Sequence, residues 1–155
     1  MGDPRDGGTL TAMLSTAQFA PSAHLSLSPA VEVTLDSGLT LRLRPIRPSD
    51  KDGLRRGFDR LSDTSRYRRF LSPMNCLPED MVVRFTEIDY VDHFAWVALD
   101  SHRPHDPGVA VARYIRNSDA PHTADVAVAV VDEYHGLGVG TLLMRMLWLT
   151  ALGSG

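Results

Sequence analysis

Val126-Ala127-Val128-Ala129-Val130-Val131, then Asp132-Glu133-Tyr134-His135-Gly136-Leu137-Gly138-Val139-Gly140, then Thr141-Leu142-Leu143, is the stretch that decides how this chain folds. Four valines within six apolar residues read as a strand. Because the run does not alternate, it predicts apolar cover on both faces and so a central position in a sheet. From Thr141 through Trp148 the residues suit an apolar helix. The intervening loop places glycine at 136, 138 and 140. Alternating glycines leave no Cβ in the way of a bound group, and they permit dihedrals that turn successive N–H groups into one concavity. The start of the helix adds unsatisfied N–H donors and the positive end of its dipole. Strand, loop and helix together make an anion site suited to phosphate, with no positive side chain required.

The spacing separates this loop from two common phosphate binders. A dinucleotide fingerprint, G-x-G-x-x-G or its alanine variant, closes at residue 141 counted from Gly136 or at 143 counted from Gly138; Thr141 and Leu143 stand there. A Walker loop needs Gly-Lys-Ser or Gly-Lys-Thr, and the only lysine is Lys51. A plain glycine turn is the bland alternative, and the specificity of the pattern weighs against it.

Outward from this stretch, the strand extends over residues 123–131 and is preceded by a turn at 117–121. A strand at 109–115, a polar loop at 102–107 and a strand at 93–99 come before that. Further upstream, Pro78-Glu79-Asp80 opens a helix with Met81, Val82 and Phe85 on its apolar face, and residues 64–70 make another short helix. Pro48-Ser49-Asp50 supplies cap chemistry for a helix through Leu54, Phe58 and Leu61. Residues 31–35 and 40–44 alternate with period two around Asp36-Ser37-Gly38, as a hairpin or an extended first strand does. Residues 1–30, rich in Gly, Ser, Thr, Ala and Pro, read as a flexible leader before one domain at 31–155. The fold class is α/β (α+β).

Composition sets the outer bounds. A chain of 155 residues fits one domain. At 43% hydrophobic and 23% charged it can bury a core and stay soluble. No run approaches the roughly 18 apolar residues of a membrane helix, and the N-terminus leads into no sustained apolar run, so no membrane association and no secretory signal are expected. The single cysteine, Cys76, fits a reducing compartment, and the cytoplasm is the expected location. Nineteen acidic against sixteen basic residues argue against nucleic-acid binding. Residues 42–69 hold ten basic and four acidic residues, an asymmetry that is ordinarily a solvated helix face and that can also steer a charged partner.

The glycine segment resembles the GNAT acetyltransferase superfamily, whose acyl-CoA motif is Q/R-x-x-G-x-G/A between the fourth strand and third helix. Here it reads His135-Gly136-Leu137-Gly138-Val139-Gly140, with His135 in place of Gln or Arg. Leu41-Arg42-Leu43-Arg44-Pro45, Ser65-Arg66-Tyr67-Arg68-Arg69-Phe70 and the stretch Glu87-Ile88-Asp89-Tyr90-Val91-Asp92-His93-Phe94-Ala95-Trp96-Val97 are similar to the catalytic domains of bacterial Pat-type protein lysine acetyltransferases. The likeness spans residues 31–152. It implies the GNAT acyl-CoA N-acyltransferase fold, a mixed, mostly antiparallel sheet flanked by helices. It implies acetyl-CoA as cosubstrate, no metal, and a protein lysine or small amine as acceptor.

The same resemblance implies roles residue by residue. Val128 and Val130, with Ala129 between them, would hold the pantetheine arm in strand-like fashion. His135, Gly136, Leu137, Gly138, Val139, Gly140 and Thr141 would hold the pyrophosphate. Asp125 occupies the place where Pat-type enzymes carry a glutamate general base. A lone acid in an apolar strand is costly to bury unpaired, and burial would raise its pKa toward a useful range. Its side chain reaches ~1.5 Å less than glutamate, about one carbon–carbon bond, a gap a bridging water fills. A strand-end aspartate in solvent or paired with an arginine is the bland alternative.

Where the sequence stops, at Ala151-Leu152-Gly153-Ser154-Gly155, the resemblance implies a further strand, helix and hairpin forming the second wall of the cleft. These C-terminal elements are therefore expected to be missing, and the edge at 124–131 to stay open unless a homodimer completes the sheet. Two rivals stand beside the enzyme reading: a non-catalytic acyl-CoA-binding or interaction module, and a fragment that does not fold alone. Pat-type relatives often carry a cyclic-nucleotide domain, which thirty leader residues cannot encode, so no cyclic-nucleotide control is expected. Asp89, Asp92, His93, His102 and His105 can be drawn as a metal cluster, but turn acids and loop histidines are the commoner reading. Cys76 has no neighbouring His in sequence to make it a nucleophile. Arg66, Arg68 and Arg69 around Tyr67 read as salt bridges on a helix face, or as contacts to CoA phosphates or a substrate protein.

Overall fold

The computed structural model describes residues 29–103, 105 and 108–153. The alternating segments form the hairpin β1 (Val31–Thr34) and β2 (Thr40–Pro45), whose turn uses Gly38 at φ +82°. A short 3-10 turn, Pro48–Asp50, leads into α1 (Lys51–Asp59), followed by α2 (Asp63–Phe70) and α3 (Glu79–Thr86). β3 (His93–Asp100), β4 (Ala110–Asn117) and β5 (Ala120–Val130) come next, then a 3-10 turn at Asp132–Tyr134 and α4 (Val139–Gly153). All but the last two residues of the leader expected over 1–30 lie outside the described residues.

The sheet has five strands in the order β1-β2-β3-β4-β5, and every neighbouring pair is antiparallel. This corrects the expectation for residues 126–131. The strand is not central: β5 is the outer strand among the described residues, and Val126 is 51% exposed. An apolar run reports how much surface calls for cover and not which element supplies it. β5 also begins earlier than expected. Asn117 pairs with Ala120, so Ser118-Asp119 alone turn the chain, with a register irregularity between Arg116 and Asn117.

Because side chains alternate across a strand, the sheet has two different faces. One carries Phe94, Trp96, Ala98, Ala112 and Tyr114, and it packs against Val139, Leu143, Met146 and Leu147 of α4. Phe94 is fully buried at the centre, with the rings of Tyr90, Trp96 and Tyr114 at centroid distances of 6.4, 5.5 and 6.0 Å. The indole N–H of Trp96 donates to Thr150 Oγ1 at 3.0 Å, and that hydroxyl donates to Met146 O at 2.8 Å. This fixes the position of α4 on the sheet, which in turn fixes the loop before it. The other face, built on Ile46, Ala95, Val97, Val111 and Ala129, lies under α1–α3 through Phe58, Leu61, Leu77 and Val82.

Candidate functional site

The backbone direction of β5 defines one side of the site. Val131 N–H donates to Val109 O at 2.9 Å, toward β4. Strand alternation then directs the N–H and C=O groups of Val126, Val128 and Val130 away from β4, to the open edge. The same edge meets the glycine loop. Gly136 and Gly138 have φ of +75° and +87°, left-handed values that a β-carbon would strain. A β-carbon at either would touch nothing within 4 Å, so their Cα atoms face open space. Gly140 differs: it lies in the first turn of α4, and a β-carbon there would meet the Val130 and Val128 side chains at 3.7 and 3.9 Å. The helix thus starts two residues before the expected Thr141.

Among the described residues the N–H groups from Gly136 to Thr141 donate to no acceptor; the first amide of the helix to do so is Leu142, to Gly138 O at 3.0 Å. They border a cavity of about 480 Å³ lined by Val130, Tyr134, His135, Gly136, Gly138, Val139, Gly140 and Thr141. Unsatisfied donors at a helix start, facing an open concavity, are what binds phosphate without a cationic side chain. Six of the seven loop residues expected from the sequence therefore converge. Leu137 is exposed and does not line the cavity. His135 lines it with its ring already committed, since Nε2 donates to the edge carbonyl of Val130 at 2.8 Å. Ala129 is turned the other way. Its backbone faces β4 and its methyl packs on the α1–α3 side.

Two anchors of the loop were not anticipated. Tyr134 is buried and donates to Asp100 Oδ2 at 2.8 Å, tying the loop to the end of β3. Asp132 Oδ1 accepts from the Ser62 N–H at 3.0 Å, and the hydrogen bonds from Ser62 hold its carboxyl below the usual range. Ser62 also caps α2 by accepting from Ser65 N. One carboxylate thus couples the loop to the helix layer.

Asp125 pairs with Ile115 on the α1–α3 side of the sheet and is exposed. The burial expected for it is therefore absent among the described residues. On that face His93 stands in the same row, opposite Ile115, and Arg113 in the next, opposite Ala127. Arg113 is 3% exposed and donates from Nη1 to His93 Nε2 at 2.9 Å and to Phe85 O at 3.2 Å. Burial, then the neighbouring Arg113 cation, pushes the His93 pKa down to about 4, so its ring is neutral and accepts. The supposed metal cluster has other uses: Asp89 Oδ1 accepts the N–H groups of Val91, Asp92 and His93 at 2.9, 3.0 and 2.9 Å. Arg66 reaches Asp63 at 3.8 Å and lies over the Phe58 ring at 4.6 Å, as on an ordinary helix face.

No family model matches the chain. It is 35% identical over 124 residues to the acetyltransferase Pat of Mycolicibacterium smegmatis, covering 78% of this chain and 35% of that protein. It is 32% identical to the GNAT domain of S. lividans PAT, with a TM-score of 0.74 over 86% of this chain and 76% of that one. The chain belongs to the GNAT family of acetyltransferases. Within that family it is similar to Pat catalytic domains, and also to the acetyltransferase PA5475 of Pseudomonas aeruginosa, at 32% identity over 74% of this chain and 61% of the relative. It spans about a third of the Pat protein and three fifths of PA5475. The GNAT fold expected from the glycine loop and the Pat-like stretches is the fold observed. The expected mixed sheet is wholly antiparallel among the described residues.

Proposed function

We propose that the chain is an acetyl-CoA-dependent N-acetyltransferase acting on an amine, with protein lysine as the acceptor. The observation that carries this is the row of undonated N–H groups from Gly136 to Thr141, placed beside the open edge of β5. A pyrophosphate fits those donors, and the outward groups of Val128 and Val130 fit the amides of an extended pantetheine arm. Bound acetyl-CoA would supply the acetyl group as a thioester: the C–N bond to the amine would form as the C–S bond breaks, and CoA would leave as a thiolate that takes up a proton. Asp125, exposed at the same edge strand, takes the proton from the attacking amine directly or through one water. An N–H at the edge of β5 polarises the carbonyl under attack. No metal is part of this reading, and the expected cytoplasmic location belongs to it.

One observation favours a second reading, a non-catalytic acyl-CoA-binding module: the outer edge of β5 pairs with no strand among the described residues. Two measurements on the same protein separate the readings. A ligand that binds only the folded state raises the melting temperature, so CoA and acetyl-CoA should both raise it. Acetyl-CoA turnover in the presence of a lysine peptide then supports transfer. Binding without turnover leaves the module, and no binding removes both.

A further inference from the structure

Three guanidinium groups surround the ring of Phe85 in α3. Arg113 stands 4.2 Å from its centroid, and Arg69 and Arg84 stand 5.6 Å from it. They come from β4, α2 and α3, so the fold gathers them and no single helix face does. Among the described residues none of the three has a carboxylate within ion-pair distance. Arg113 is almost wholly buried, and its contacts there, Phe85 O and the neutral ring of His93, carry no charge. Burial and then the Arg69 and Arg84 charges push its pKa down to about 9, and burial lowers that of Arg69. A buried cation without a counter-charge is expensive.

Beside this cluster lies a cavity of about 80 Å³ between α1–α3 and the sheet. Arg69 and Arg113 are among its lining residues. The rest is mainly apolar, including Leu54, Phe58, Val97 and Ala129. The other charged pair in the lining, Arg44 and Asp50, satisfies itself through two bonds of 2.7 Å. The space holds several waters' volume. A lining that combines two guanidinium-bearing residues with a mainly apolar surface matches an anion that has a short hydrocarbon stem. A phosphate would leave the apolar wall unused, whereas a short aliphatic carboxylate uses both.

We propose that Arg69 and Arg113, supported by Arg84, form a binding site for a carboxylate on a short aliphatic stem, inserted between the helix layer and the sheet. The site lies on the opposite face of the sheet from α4 and uses no residue of the glycine loop. It shares that face with Asp125 but needs no residue of the transferase reading. The carboxylate arrives either as a free small molecule or as a glutamate side chain of a peptide, and both present the same propionate group.

The test is calorimetric titration of the intact chain at fixed ionic strength, without acetyl-CoA. The probes are propionate, the blocked dipeptide-like amide of glutamate, and 1-propanol as the uncharged control. Saturable binding of propionate or of the glutamate amide, at least tenfold tighter than propanol, is expected. Tighter binding of the amide identifies a peptide source, and tighter binding of propionate a free one. Arg69→Gln, at a partly exposed position that leaves the core intact, should weaken the preferred probe at least tenfold. Arg113→Met should abolish binding and leave CoA binding unchanged. If neither carboxylate binds better than propanol, or if Arg69→Gln binds like the parent, the proposal is wrong. Because the readout needs no CoA, its failure and that of the transferase reading are seen separately.

Discussion

The two faces of the sheet are built on different principles. Toward α4, the strands present Phe94, Trp96, Ala112 and Tyr114, a dry aromatic layer whose polar groups, such as the Trp96 indole, all find partners. Toward α1–α3, the same strands present His93, Arg113 and Asp125 among alanines and valines, beside the cavity under the helix layer. Alternation along β3, β4 and β5 assigns each residue to one face. A single strand can therefore spend half its residues on stability and half on chemistry. The glycine loop sits where β5 meets α4, tied to the end of β3 through Tyr134 and to the helix layer through Asp132.

The largest effect tests that division from the polar side. Asp125→Ala should lower acetyl-CoA turnover by roughly 10²–10⁴, the usual worth of a general base. The residue is exposed, so the unfolding midpoint in urea should stay within the scatter of surface substitutions, about 0.5 kcal/mol. Steady-state rates and urea titrations on the same preparation decide it. Full turnover in a folded, CoA-binding variant removes the base assignment.

From the apolar side, Phe94→Ala should cost about 3–5 kcal/mol, because it empties a fully buried site packed by three other rings. Urea unfolding measures it. A cost under 1 kcal/mol would mean that the aromatic layer is not what holds α4, and the contrast between the faces would fail.

The legible and the illegible parts of this molecule divide along physical lines. The hairpin around Gly38, the helix starts at Pro48 and Pro78, and the glycine loop were readable because each is set by chemistry within a few residues: φ preference, capping and orphan donors. The place of β5 was not readable. Its valines announce apolar surface on both sides, but the partner that would cover the outer side lies elsewhere in any chain, and local pattern is silent about it. The anion site at Gly136, Gly138 and Gly140 was legible in the glycine spacing, and the place of Thr141 in it in the family resemblance, whereas the turning of Ala129 toward β4 needed the register. Arg113 carries a signal in the sequence. It is a lone cation in the apolar run Ala110-Val111-Ala112-Arg113-Tyr114, the same kind of exception that drew attention to Asp125. Its meeting with Arg69, Arg84 and His93 is long-range and visible only in the fold.

An intermediate effect sharpens the comparison through pH. The folded pKa of His93, about 4, lies below the ordinary 6.5. Above pH 6.5 both folded and unfolded chains keep it neutral. As pH falls toward 4, the unfolded chain binds a proton that the folded chain refuses, so stability falls with pH through that window. Solvent screens the half-exposed ring, so this residue's share at pH 5 should be about 1 kcal/mol, below the roughly 2 kcal/mol of the full shift. His93→Gln keeps an acceptor for Arg113 and cannot titrate. Its unfolding free energy should therefore lose less between pH 7 and pH 5 than the parent's, by about 1 kcal/mol. Equal slopes would show that the polar face does not hold His93 neutral.

The smallest effect concerns the junction between the two faces. Gly138 has φ +87° and no atom within 4 Å of where a β-carbon would stand. Gly138→Val therefore meets no neighbour, and its cost comes from two other sources. A β-branched residue is strained at this dihedral, at about 1–3 kcal/mol, and the new methyls enter the space that the N–H groups of Gly138 to Thr141 face. The dihedral strain appears in urea unfolding with or without ligand. The obstruction appears only in CoA binding, which should weaken at least tenfold, or ~1.4 kcal/mol. Gly140→Ala is the partner experiment. Its β-carbon would lie at ordinary contact distance from Val128 and Val130, inside a helix. It should leave CoA affinity nearly unchanged and gain slightly in stability, as alanine does over glycine in a helix. If Gly138→Val binds CoA like the parent while remaining folded, the open donors at this loop are not a phosphate site. If Gly140→Ala loses affinity as severely, the site lies deeper between β5 and α4 than its cavity suggests.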